Sequence, residues 1–270
     1  MKSPDAWKAV VLVLVCWPLI FMACTIEREV DFMAGAPATE PVDLFGAGRY
    51  QPDIDAFMEI GWYGSPGTTP KGDQVFFTSD ASGAPQLYCL SEQGWPCQLT
   101  FFPDGIDWYI LSRAGEMAIV GASAGGSRNS QLYLLDMRSG RIRRLTDKPD
   151  AAYGSVVWSR DDRVIFLRSN EENGRDFKLY RMDLATCELT KLVDIPGWNA
   201  WEDLSPDGRD LVYSHATSNA NNDLYLYSLG TRDTVLLTVH EGLARYQAPS
   251  FSADGERLYL TSNANDQGLM

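Results

Sequence analysis

An all-β fold, a β-propeller of four-stranded antiparallel blades, is predicted by three markers that recur in one register at about 46 residues. The lack of any sustained 3.6-residue apolar pattern excludes a helical solenoid. The first marker is a turn segment: Thr69-Pro70-Lys71-Gly72-Asp73, Ser112-Arg113-Ala114-Gly115-Glu116, Ser159-Arg160-Asp161-Asp162-Arg163, Ser205-Pro206-Asp207-Gly208-Arg209 and Ser252-Ala253-Asp254-Gly255-Glu256. Their first residues stand 43, 47, 46 and 47 positions apart. The second is Leu87-Tyr88, Leu132-Tyr133, Leu179-Tyr180 and Leu224-Tyr225, and the third is Leu99-Thr100, Leu145-Thr146, Leu192-Val193 and Leu237-Thr238.

Each marker has a physical reason. In Ser-Pro-Asp-Gly the proline pre-sets φ for a type I turn and the glycine takes the left-handed φ that follows, so the segment joins two antiparallel strands. The runs after it, such as Arg163-Val164-Ile165-Phe166-Leu167, are too short and too β-branched or aromatic for helices. A third strand carries the Leu-Tyr pair, a polar turn such as Asp136-Met137-Arg138-Ser139-Gly140 follows, and a fourth strand ends on Leu-Thr. The predicted blades are 57–104, 105–150, 151–197 and 198–242, and 243–270 supplies the first two strands of a fifth. Two positions break the turn chemistry: Cys187 stands where the second blade has Gly140, and Asp162 replaces the turn glycine.

The N-terminus is a different material. Lys2 and Lys8 precede an uncharged run from Ala9 to Ile26, after which Glu27, Arg28, Glu29 and Asp31 return the chain to water. Residues 1–23 have the layout of an export signal. Ala23-Cys24 fits a bacterial lipobox, although Phe21 stands where leucine is usual, so three outcomes stay open: lipidation at Cys24, plain cleavage, or an uncleaved anchor. All three put the remainder outside the cytoplasm, in the periplasm or cell envelope. Residues 24–56 read as a tether and lead-in, rich in Ala, Pro, Gly and acidic residues.

With 36 acidic against 23 basic residues the chain carries a net charge of -13. Nucleic acid is not an expected partner, because phosphate binding needs Lys and Arg in a patch. No cofactor motif is found.

Gly94-Trp95-Pro96-Cys97-Gln98-Leu99-Thr100-Phe101-Phe102, Gln131-Leu132-Tyr133-Leu134-Leu135-Asp136 and His240-Glu241-Gly242 add a family likeness. Over about residues 54–270 the chain resembles the WD-like, TolB-like propeller that forms the N-terminal domain of prolyl oligopeptidase-family serine peptidases. The resemblance implies a propeller that gates a C-terminal α/β-hydrolase domain bearing Ser, Asp and His. None of that domain is in this sequence, which ends within the propeller. The leading expectation is therefore a non-catalytic binding or gating module for a peptide or protein ligand. The alternatives are a fragment of an intact peptidase cleaving short peptides, and a TolB-like envelope scaffold that binds a protein partner.

Gly121-Ala122-Ser123-Ala124-Gly125 fits Gly-x-Ser-x-Gly, but a nucleophile elbow must join a strand to a helix, and this segment leads into a strand. His215 and His240 lack the clustered partners of a zinc site. Glu202 and Asp203 lie in the first strand of blade four, where they could line a channel or form a solvated acidic strand end. Trp158, Trp198, Trp201, Tyr153, Tyr246 and Phe251 sit at blade starts, where packing between blades is the expectation, with Trp108 and Trp198 as binding candidates. Register opposes Cys89 to Cys97, a candidate disulfide, and leaves Cys187 free. The open edge of the partial fifth blade is a candidate for self-association.

Overall fold

The structure is a computed structural model, and it describes residues 61–91 and 94–264. The predicted export signal, the Cys24 lipidation site and the tether lie outside the described residues. Among the described residues every regular element is a strand, and no helix is long and apolar enough to cross a membrane.

Four four-stranded antiparallel sheets follow one another along the chain. The first holds β1 (Tyr63–Thr68), β2 (Val75–Ser79), β3 (Gln86–Leu90) and β4 (Pro96–Gln98). The second holds β5 (Trp108–Leu111), β6 (Met117–Ala122), β7 (Gln131–Asp136) and β8 (Ile142–Arg144). The third holds β9 (Tyr153–Trp158), β10 (Val164–Ser169), β11 (Lys178–Asp183) and β12 (Leu189–Val193). The fourth holds β13 (Trp198–Leu204), β14 (Asp210–Ser218), β15 (Asn221–Ser228) and β16 (Thr234–Leu236). A two-stranded sheet follows, β17 (Tyr246–Phe251) paired with β18 (Leu258–Ser262). In every sheet the strands lie in sequence order. This is a β-propeller of four-stranded blades, and each recurrent turn joins a blade's first and second strands.

The markers are hydrogen-bonding devices. In the Ser-x-Asp turns the serine hydroxyl donates to the aspartate and accepts the N–H that starts the second strand. Ser205 Oγ bonds Asp207 at 2.7 Å and the Asp210 N–H at 2.9 Å; Ser159 bonds Asp161 at 2.7 Å and Val164 at 3.0 Å. These bonds to the ionised form hold Asp161, Asp207 and Asp254 below the usual carboxylate range. The Leu-Thr marker follows the fourth strand and locks it to the third. Leu145 N donates to Leu132 O at 2.8 Å while Leu132 N donates to Thr146 Oγ1 at 2.9 Å. Leu99 with Thr100, and Leu237 with Thr238, repeat the pair against Leu87 and Leu224. Blade three has Val193 at the threonine position, and there β12 extends to pair Leu179 with Val193 directly.

The apolar residues form four clusters, one between each successive pair of sheets. Strand β10 shows how one segment serves two of them: Ile165 and Leu167 pack towards blade two, while Val164 and Phe166 pack towards blade four. Alternation with both faces buried explains its unbroken apolar run. Tyr153, Trp158, Trp201 and Tyr246 are buried and Phe251 packs on the last cluster, in line with the expected packing between blades; Trp198 is 48% exposed.

The two unusual turn residues keep the glycine conformation. Asp162 has φ 55° and Cys187 φ 59°, close to the 68° of Gly140. Asp162 is tied across the blade boundary, its carboxylate accepting the Arg113 N–H at 2.9 Å and the Ala114 N–H at 2.8 Å. Cys187 sits 3.0 Å from an Arg143 guanidinium nitrogen.

The first blade has the expected hairpin register, with Cys89 opposite Cys97. Leu99 N bonds Leu87 O at 2.7 Å and Ser91 N bonds Trp95 O at 2.8 Å. Alternation therefore makes Cys89 and Cys97 a hydrogen-bonded pair, for which α-carbons lie about 5.5 Å apart, within disulfide range. Cys89, Cys97 and Cys187 are all free thiols in the structure; Cys89 is buried and Cys97 exposed.

Candidate functional site

A cavity of about 450 Å³ runs along the first strands of blades two, three and four, β5, β9 and β13. Its chemistry comes from Arg168, Glu202 and Arg128, and its aromatic wall from Trp108, Phe177 and Trp198.

Backbone geometry sets these side chains in place. On β13 the register slips between Trp201 and Asp203, so Glu202 occupies a bulge, which re-aims a side chain. On β9 the matching irregularity contains Ser155, at φ 50°, whose hydroxyl donates to Trp201 O in the next blade at 2.5 Å. Gly154 pairs with Arg168, and a β-carbon on that glycine would stand in ordinary contact with Arg168 Nε, at 3.7 Å. The guanidinium therefore lies close to bare backbone. Trp108 is seated far more tightly over Gly121, where an added β-carbon would meet the indole at 2.2 Å.

Arg168 stacks on two rings. Its Cζ lies 4.2 Å from the Trp198 centroid and 4.9 Å from that of Phe177, and the two rings are themselves 4.6 Å apart. Such contacts contribute about 0.5 to 2 kcal/mol each, more when desolvated. Burial lowers the Arg168 pKa from its usual value, opposed by the charge of Glu202. Burial likewise raises that of Glu202, opposed by a 2.6 Å hydrogen bond from Ser214 Oγ and by Arg168. The geometry holds a rigid cation beside a half-buried carboxylate, with an exposed indole at the rim, and suits binding of a polar group next to an apolar one.

The other sequence candidates have structural partners. Asp203 accepts the Phe251 N–H at 2.8 Å and that of Leu204 at 2.8 Å, so it joins blade four to the sheet that follows. Both residues are intermediate in burial, Glu202 bonded to Ser214 and Asp203 to the first strand of the sheet that follows. Ser123 lies in the β6–β7 loop and donates to Asp107 at 2.9 Å, with neither histidine among its partners. His215 Nδ1 is 2.8 Å from Asn199 Oδ1, and His240 bonds Asn221 and lies 3.4 Å from Asp223. Among the described residues no group of three or more His, Cys, Asp or Glu side chains could hold a metal ion.

Arg168, Phe177 and Arg128 were not singled out in the sequence, although a signal for Arg168 existed. The second-strand residue paired at this point is Thr78, Gly121, Ser214 and Thr261 in the other blades, and arginine only in the third.

No family model matches the chain. Over 101 residues, 37% of its length, the chain is 32% identical to the Tol-Pal system protein TolB of Francisella tularensis, and it spans only 22% of that curated relative. Among solved structures, TolB from Acinetobacter baumannii superposes with a TM-score of 0.55 at 23% identity, over 72% of this chain and 47% of that one. A structure from a study of two prolyl endopeptidases gives a TM-score of 0.58 at 18% identity, over 69% of this chain and 31% of that one. These structural likenesses establish the propeller fold.

Because burial raises the folded-state pKa of Glu202, its ionisation costs stability at neutral pH, and the cost disappears below the ordinary carboxyl value of 4.5. Glu202→Gln is expected to raise the thermal midpoint at pH 7 by about 2 °C and to leave it unchanged at pH 4. Calorimetry at the two pH values checks this; a variant less stable at pH 7, or a gain that persists at pH 4, contradicts the assignment.

Proposed function

We propose that the chain is a non-catalytic propeller of the bacterial cell envelope that binds a protein or peptide partner through the cavity on its first strands. The observation that carries this reading is the cavity itself, in which Arg168 is stacked between strands of a rigid scaffold while 48% of Trp198 remains exposed. A half-exposed tryptophan beside a fixed charge has the composition of an interface anchor. The sequence similarity to a Tol-Pal system protein supports the envelope placement, as does the signal-like N-terminus. Attachment to the membrane would then run through Cys24 or through an uncleaved anchor.

A second reading is favoured by a specific observation. The fold likeness to a prolyl endopeptidase, with the Gly94–Phe102 segment, supports descent from the gating domain of a peptidase. The two readings differ in what accompanies the propeller and agree that this chain binds rather than cleaves.

Tagged chain, crosslinked in the cells that make it, should fractionate with the envelope. It should recover a discrete partner whose yield falls several-fold on Trp198→Ala. Cytoplasmic fractionation would contradict the localisation, and an unchanged yield would contradict the site. Purified chain is also expected to leave proline-containing peptides intact.

Export would also place Cys89 and Cys97 in an oxidising compartment, where their opposed positions permit a disulfide. Closing so short a loop stabilises by about 2 kcal/mol in the chain-entropy treatment. Peptide mapping of exported, alkylated protein without reductant should find the two joined; recovery of both in alkylated form rejects the pairing.

A further inference from the structure

We infer that the cavity of blades two to four is a carboxylate-binding site, in which the terminal nitrogens of Arg168 form the receiving fork and Trp198 covers the neighbouring apolar group of the ligand. The inference rests on the binding-module reading and names the chemistry that the module recognises.

Three observations converge on it. First, the side chain of Arg168 makes no hydrogen bond among the described residues: its Nε is buried without a partner, and its interactions are the two ring contacts and the field of Glu202. Buried polar groups are otherwise almost always paired, so an arginine left this way is the exception to explain. Second, the rings of Trp198 and Phe177, 4.2 and 4.9 Å from Cζ and 4.6 Å from each other, lie to one side of the guanidinium and supply its N–H groups with no nitrogen or oxygen acceptor. Nε is buried without a partner and Arg168 lines the cavity, so the donors it can offer a ligand there are those of its two terminal nitrogens. A planar fork of parallel N–H groups matches a carboxylate in geometry and charge. Third, Arg128 lines the same cavity, so two guanidinium groups meet one carboxylate there in a chain whose net charge is -13.

Glu202 does not supply the missing acceptor. It forms no ion pair with Arg168 within 4 Å, and its carboxylate takes a 2.6 Å hydrogen bond from Ser214. It sets the strength of the site instead, since its charge competes with that of an incoming anion. An amine ligand paired with Glu202 would leave the guanidinium donors without acceptors, which disfavours that alternative.

A carboxylate can come from an acidic side chain or from a peptide's C-terminus. Three N-acetylated probes separate these: an amidated peptide with one central aspartate, the same peptide with asparagine, and the asparagine peptide with a free C-terminus. Each is titrated into the full chain by calorimetry, with the tryptophan emission followed in parallel. One or both carboxylate peptides should bind at least about tenfold more tightly than the neutral amide, and the arm that does so names the source. Arg168→Gln should remove the difference, while Arg138→Gln, an exposed arginine outside the cavity, should keep it. Glu202→Gln should tighten binding, an opposite sign that a merely misfolded variant would not produce. Equal affinity for all three probes, undiminished binding by Arg168→Gln, or weaker binding by Glu202→Gln would each overturn the assignment. If crosslinking still captures a Trp198-dependent partner while no carboxylate peptide binds, the ligand chemistry is wrong and the binding module stands. Loss of both takes the module with it.

Discussion

A four-stranded sheet of this kind has two apolar faces and cannot bury either one alone, so every other feature depends on packing between successive blades. Trp201 shows the interaction most fully. It is 2% exposed, stands edge-on to Phe166 of blade three and to Tyr213 and Tyr227 of its own blade, and donates Nε1 to Tyr180 O at 3.3 Å. Burying an aromatic side chain of this size contributes about 3 kcal/mol. Polar contacts repeat the linkage at the turns. Arg160 donates to Leu204 O and Ser205 O of the next blade, as Asp162 accepts from the turn of the preceding one. Asp203 carries the chain of contacts on to β17.

The site is a consequence of this arrangement. First strands of neighbouring blades run side by side, and their bulges at Ser155 and Glu202 turn polar groups into the space between them. Within that space Arg168 is held against the rings of Phe177 and Trp198. Stacking gives a cation a fixed position in a partly dry setting while leaving its donors unused. A scaffold already rigid for reasons of packing thereby presents a preorganised group to a partner, which reduces the ordering cost of binding.

Blade count, strand order and turn positions were legible in the sequence because they depend on local hydrogen bonding that repeats. A serine that closes a turn, or a threonine that locks a fourth strand, leaves the same mark at each repeat. The opposition of Cys89 and Cys97 followed from that register. What breaks the repeat was harder to interpret. Asp162 and Cys187 looked like defects, yet they adopt the left-handed conformation and Asp162 ties two blades together. Glu202 and Asp203 are neighbours in sequence that a bulge sends to different partners, Ser214 and the N–H of Phe251. Arg168 escaped notice because its meaning lies in Gly154, Phe177 and Trp198, which are distant in sequence and meet it only across strands and blades.

The central claim is that adjacent blades form one cooperative unit through buried contacts such as those of Trp201, and that the site inherits its rigidity from that unit. Native-state hydrogen exchange of the full chain and of Trp201→Ala tests it most directly. Protection should fall together in β9–β12 and β13–β16, by the same factor, because the tryptophan's loss opens the face of both blades. A variant in which blade four loosens while the amides of β10 and β11 keep their original protection would show blades that stand independently, and would contradict the account.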